Sequence, residues 1–173
     1  MLPSSNYAGN DRRGVSLAES NLTKLAEQIH GPWNCTYTYQ GRDKTITAKI
    51  EALVKKETHQ PGINISFKVN NKDVLSETNP YVRLITTSTM MRLQIMDIHI
   101  RKTHRRKGYG TVLFAILWGP LASCSYKMLV VENPTAAGKV WYRERLGMMC
   151  LPSAMHSLAT TIATGRPGAI ADV

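Results

Sequence analysis

Apolar residues recur along this chain in three successive rhythms. Between Ser16 and Ile29, the positions Ala18, Leu22, Leu25 and Ile29 fall at helical spacing. Ser16-Leu17-Ala18-Glu19 has the form of a capping box, so it predicts the helix start at Ser16, with Gly31-Pro32 as its stop. The period then shortens to two. Trp33, Cys35, Tyr37 and Tyr39 alternate with polar residues, Gly41 follows, and Ile46, Ala48, Ile50, Ala52 and Val54 alternate again, which is the pattern of a hairpin. Ile63, Ile65, Phe67 and Val69 follow Pro61-Gly62 and end at Asn70-Asn71. Leu84 to Thr87 predicts a short strand and Met91 to Ile100 a longer one. In the third rhythm, longer units alternate. Thr111 to Trp118 is apolar throughout and predicts a buried helix, Lys127 to Glu132 a short strand, and Thr135 to Gly147 a helix with Asn133 as its cap and Pro134 in its first turn. Met148 to Leu151 predicts a strand, and Ser153 is suited to cap a helix bearing Ala154, Met155, Leu158 and Ile162. A mostly antiparallel sheet that gives way to strand–helix–strand–helix is a mixed α/β (α+β) fold, its sheet flanked by helices.

At 173 residues with 43% hydrophobic content, the chain is long and apolar enough for one domain with its own core. The organisation expected is a flexible polar arm over 1–14, a single domain over 15–165 and a flexible tail over 166–173. No apolar run is long enough to span a membrane, and the first residues lack the basic and apolar regions of a secretory signal. Cys35, Cys124 and Cys150 are odd in number and lack metal-ligand spacing, so reduced thiols in a cytoplasmic protein without a metal are expected. The net charge of +10 favours an anionic partner, which includes RNA, DNA and acidic protein surfaces.

Five of the basic residues, Arg101, Lys102, Arg105, Arg106 and Lys107, crowd into seven positions between the strand ending at Ile100 and the glycines Gly108 and Gly110. Glycine lets backbone approach an anion closely, helix-start amides and the helix dipole favour negative charge, and arginine grips phosphate in a fork. A P-loop would need Gly-Lys-Ser/Thr at its end, and a dinucleotide fingerprint a third glycine; neither is present. What remains is Arg105-x-x-Gly108-x-Gly110.

This spacing, with the strand before it, the helix after it, and the later Asn133-Pro134 and Leu146-Gly147-Met148, resembles motif A and the following segment of the GNAT superfamily of acetyl-CoA-dependent N-acetyltransferases. The likeness runs from about Met91 to Met148. It implies a GNAT-like fold and a coenzyme A site. Amides and cations of Arg105, Arg106, Lys107, Gly108, Tyr109, Gly110 and Thr111 would hold the pyrophosphate. Backbone groups of Ile98 and Ile100 would hold the pantetheine arm and face the thioester, and Asn133 would contact that arm. The chain departs from the family at both ends: no strand precedes the first helix, and a helix is expected where the family has its last strand.

Acetyl transfer needs a neutral amine and benefits from a proton donor for the leaving thiolate. Where some family members carry a glutamate base, this chain has Gln94, which cannot take a proton. Asp97 and His99 have the opposite strand parity to Gln94 and face the other side unless a bulge intervenes. His99 has the intrinsic pKa of a base near neutrality. Tyr142 is the candidate acid, and Trp141 the alternative occupant of that place. The function implied is transfer of acetyl from acetyl-CoA to an amine of a macromolecular acceptor, a protein or an aminoacyl-tRNA or other nucleic acid. A non-catalytic coenzyme-binding module and a basic nucleic-acid-binding protein are the alternatives, and a homodimer is compatible with the irregular C-terminal part.

Overall fold

The computed structural model describes residues 8–56, 60–86, 92–96, 98–151 and 154–161. Among these, α1 (Ala8–Ile29) begins eight residues before the Ser16 capping box, so residues 8–14, expected in the arm, are helical. Leu22, Leu25 and Ile29 are fully buried, as their spacing requires. The Trp33 indole N–H donates to the Ile29 carbonyl at 2.9 Å, closing the helix end.

The sheet then builds outward by hairpins. β1 (Gly31–Tyr39) pairs antiparallel with β2 (Arg42–Lys55) through a two-residue turn in which Gln40 and Gly41 both have positive φ. That handedness matches the twist of the strands it joins. Asn70 and Asn71 repeat the device between β3 (Gly62–Val69) and the two-residue β4 (Lys72–Asp73). β5 (Val82–Thr86) pairs with β3 and with β6 (Arg92–Ile95), both antiparallel. A basic turn containing a 3-10 segment at Lys102–His104 leads to α2 (Tyr109–Ser123). β7 (Met128–Glu132), α3 (Ala136–Leu146), β8 (Met149–Leu151) and β9 (Ala154–Thr161) complete the described chain.

The order β1-β2-β3-β5-β6-β7-β9-β8 is antiparallel at every step except β6–β7. α1 packs on β2 and β3 and touches α2. Val112 to Trp118 of α2 are all buried, which accounts for a helix apolar on every side. No described helix is long and apolar enough to cross a membrane.

Three further expectations need correction. The strand anticipated over Met91–Ile100 is not continuous. β6 ends at Ile95, its pairing with β7 stops there, and Ile100 forms an isolated bridge with Leu75 on the other side of the chain. The helix anticipated after Ser153 is β9: Leu158, 2% exposed, lies opposite Val131 of β7. Its apolar positions fit a helix locally, but β7 would otherwise present an unpaired edge, and satisfying that edge outweighs propensity. The cap of α3 is Thr135, whose hydroxyl accepts from the Gly138 N–H at 3.2 Å, while Asn133 is exposed with φ 46°. The tail expected over 166–173 lies outside the described residues.

Close strand contact at Gly62 gives a direct test of the β3–β5 register. A Cβ there would stand 2.6 Å from the Leu84 carbonyl oxygen. Gly62→Ala should lower stability by about 1–3 kcal/mol, as overpacked sites do, read as a lower urea midpoint with an unchanged slope.

Candidate active site

The four-residue parallel pairing of β6 with β7 ends at Ile95↔Val131. Beyond it the two chains part. The Ser76 N–H donates to the His99 carbonyl at 2.7 Å and the Arg101 N–H to the Val74 carbonyl at 3.0 Å. In an antiparallel bridge this alternation turns the N–H and C=O of Ile100 away from Leu75. A cleft of about 760 Å³ opens at this parting, at the carboxyl ends of the parallel strands, where open α/β sheets bind ligands. Residues 98–100, after β6, wall one side, the basic turn and start of α2 a second, and α3 a third.

Most of the turn residues singled out from sequence converge here. Ile98, Ile100, Arg105, Arg106, Gly108, Tyr109, Gly110 and Thr111 line the cleft; Lys107 and Asn133 do not. Of the catalytic candidates, His99, exposed, and Tyr142, 2% exposed, line it. Gln94 does not, and its amide donates to the Met96 sulfur at 3.7 Å. Asp97 lies outside the described residues. The break after Ile95 is why strand parity with Gln94 does not govern where His99 stands.

The first intrahelical bond of α2 runs from the Val112 N–H to the Gly108 carbonyl at 3.0 Å, so the amides of Tyr109, Gly110 and Thr111 precede it. No side chain caps them. An uncapped helix start beside Arg105 and Arg106 has the charge and donors of an anion site. The other cations divide their duties. Arg101 donates through Nε to the Leu75 carbonyl at 2.7 Å and pairs with Glu77 at 3.3 Å, so it holds the turn to the sheet. Arg105 donates through Nε to the Ile100 carbonyl at 2.9 Å. His104 also lines the cleft; burial first, then Lys107, Arg101 and Lys72, hold its pKa below the ordinary histidine value.

The glycines serve packing more than ligand clearance. A Cβ on Gly108, whose φ is 80°, would meet the Tyr37 ring at 2.9 Å and the Tyr39 ring at 3.2 Å. One on Gly110 would meet the Trp141 ring at 3.2 Å. Trp141 stands against Phe114, ring centroids 5.5 Å apart, and edge-on to Tyr142 at 5.1 Å. The sequence reading missed Tyr37, Tyr39 and Thr135. The alternation of β1 put both tyrosines on one face, but nothing local says that this face meets a turn 67 to 70 residues later.

The fold has mixed α/β layers, a mostly antiparallel sheet and one parallel pair, β6–β7, that parts beside the cleft. No protein-family model matches the chain, and no curated protein matches it in sequence. Solved structures to which the chain is similar at low identity include acyltransferases. A cAMP-binding acyltransferase from Mycobacterium smegmatis is 10% identical with a TM-score of 0.49, covering 91% of this chain and 54% of that one. The chain thus spans about half the length of the mycobacterial protein. An acetyltransferase from Bacillus subtilis, solved in complex with CoA, is 9% identical with a TM-score of 0.43, covering 66% of this chain and 100% of that one. The aminoglycoside 6'-N-acetyltransferase from Enterococcus faecium is 12% identical with a TM-score of 0.43, covering 65% and 79%.

Gly108 combines a left-handed backbone with the tightest ring contact in the turn. Gly108→Ala should cost about 1–3 kcal/mol of stability, measured as a shift in chemical-denaturation midpoint.

Proposed function

We propose that this chain is an acetyl-CoA-dependent N-acetyltransferase acting by direct transfer within a single domain over 15–165. The observation that carries this reading is the meeting, in one cleft, of the start of α2, which no side chain caps, the Arg105 and Arg106 cations, and residues 98–100 with Tyr142. Amides and cations suit a pyrophosphate; the backbone of Ile98 and Ile100 suits an extended amide-bearing arm. Acetyl-CoA, when bound, supplies the activated acyl group. Tyr142, buried and lining the cleft, is the proton donor for the departing thiolate. His99, exposed and lining the cleft, is the base that takes the proton of the attacking amine. The acceptor is a macromolecule, protein or nucleic acid, drawn by the net charge of +10.

Gln94, which stands off the cleft and cannot take a proton, favours a second reading: a module that binds the coenzyme without transferring from it.

Calorimetry with acetyl-CoA tests the first half of the proposal. Arg106 has φ 55°, so Arg106→Gly keeps the turn conformation while removing the cation. Wild type should bind, and the variant about tenfold more weakly, the value of one charge-assisted hydrogen bond. A wild type that does not bind would end the acetyltransferase reading. Turnover tests the second half. Tyr142→Phe should lower kcat about 100-fold, typical of a lost general acid, with coenzyme affinity retained. Tight binding with no transfer to any of a broad panel of amines would favour the non-catalytic module.

A further inference from the structure

The basic turn is held by a strand that belongs to the far edge of the sheet, and Tyr39 of that strand also lines the cleft. Tyr37 and Tyr39 lie on β1, four pairing steps from β6 in the sheet order. Yet the Tyr37 hydroxyl donates to the Lys107 carbonyl at 2.8 Å, and the Tyr39 hydroxyl donates to the Arg106 carbonyl. Both rings lie against Gly108, and the Lys44 ammonium stands 5.0 Å over the Tyr39 ring.

A trans peptide is planar, and its N–H points opposite to its C=O. Fixing the Arg106 carbonyl toward β1 therefore aims the Lys107 N–H away from β1. Fixing the Lys107 carbonyl does the same for the Gly108 N–H, at a residue that lines the cleft. The turn also needs outside support. Arg106 and Gly108 both have left-handed φ, at 55° and 80°, and this is unfavourable for an arginine unless the surroundings impose it.

We propose that Tyr37 and Tyr39 are positioning residues for the anion-binding turn. Their hydroxyls hold two carbonyls toward β1, at the edge of the cleft that Tyr39 lines, so that the opposed amides of the turn join those at the start of α2 on a pyrophosphate. The inference rests on the coenzyme reading for its natural ligand, but not for its geometry. Burial, then Tyr109, Tyr39 and Cys35, push the Tyr37 phenol up to about 12, so this donor keeps its proton at any pH the protein meets.

Tyr→Phe keeps each ring against Gly108 and removes only the hydroxyl, which separates aiming from packing. Tyr37→Phe, Tyr39→Phe and the double variant are titrated calorimetrically with acetyl-CoA, inorganic pyrophosphate and S-acetylpantetheine, which lacks the diphosphate. Melting temperatures are recorded alongside. In the double variant, affinity for acetyl-CoA and for pyrophosphate should fall about tenfold, the combined effect of two ordinary hydrogen bonds, with S-acetylpantetheine binding unchanged. Unchanged acetyl-CoA and pyrophosphate affinity would overturn the proposal. So would an equal loss for S-acetylpantetheine with a lowered melting temperature, which marks a merely structural role. If wild type binds pyrophosphate but not acetyl-CoA, a loss in the variants sustains the positioning role while the coenzyme reading fails. Binding of neither ligand by wild type would overturn both.

Discussion

Everything at the cleft depends on the separation of two parallel strands. β6 and β7 share four residues of register, and beyond Ile95 the Met96 N–H bonds to Arg83 of β5 and the stretch around Ile100 to residues 74–76, on the side away from β7. Had β6 continued straight, the gap between the strands would be filled by the ladder itself and no backbone group would face it. Because it leaves, a space is bounded by Ile98–Ile100, the first turn of α2 and the face of α3 that carries Trp141 and Tyr142. The burial of α2 along almost its whole length fixes where that first turn stands.

The turn between these elements is determined from several sides at once. Arg101 ties it to the Leu75 carbonyl, Arg105 to the Ile100 carbonyl, and the tyrosines of β1 to its own carbonyls. Trp141 closes on Gly110 from α3. The two glycines are thus places where aromatic rings touch the backbone. A sequence rule that assigns them to ligand clearance alone finds the right residues for an incomplete reason.

Much of the fold was legible because its periodicities are clean. β1, β2, β3, β5 and β7 lie where alternation or short apolar runs placed them, and the turns at Gly41 and Asn70-Asn71 carry the left-handed residues their types require. What the sequence hid was set by pairing at a distance. The break in β6 has no glycine or proline to announce it, and beyond it Ile100 bridges Leu75, 25 residues earlier in the chain. β9 carries helix-compatible spacing and is a strand because β7 needs a partner. The Arg-x-x-Gly-x-Gly turn was visible as a motif, while Tyr37 and Tyr39 were visible only as strand residues. Their relation to the turn arises from the curl of the sheet between its edge and its middle.

The central claim is that the unpaired amides at the start of α2 receive the pyrophosphate of acetyl-CoA. The most direct measurement is to follow backbone amide resonances by NMR while acetyl-CoA is added. The account predicts that the largest shifts fall on Gly108, Tyr109, Gly110 and Thr111, with Ile98 and Ile100 following. Saturable binding whose shifts lie elsewhere, leaving the amides of Tyr109 to Thr111 unmoved, would contradict it.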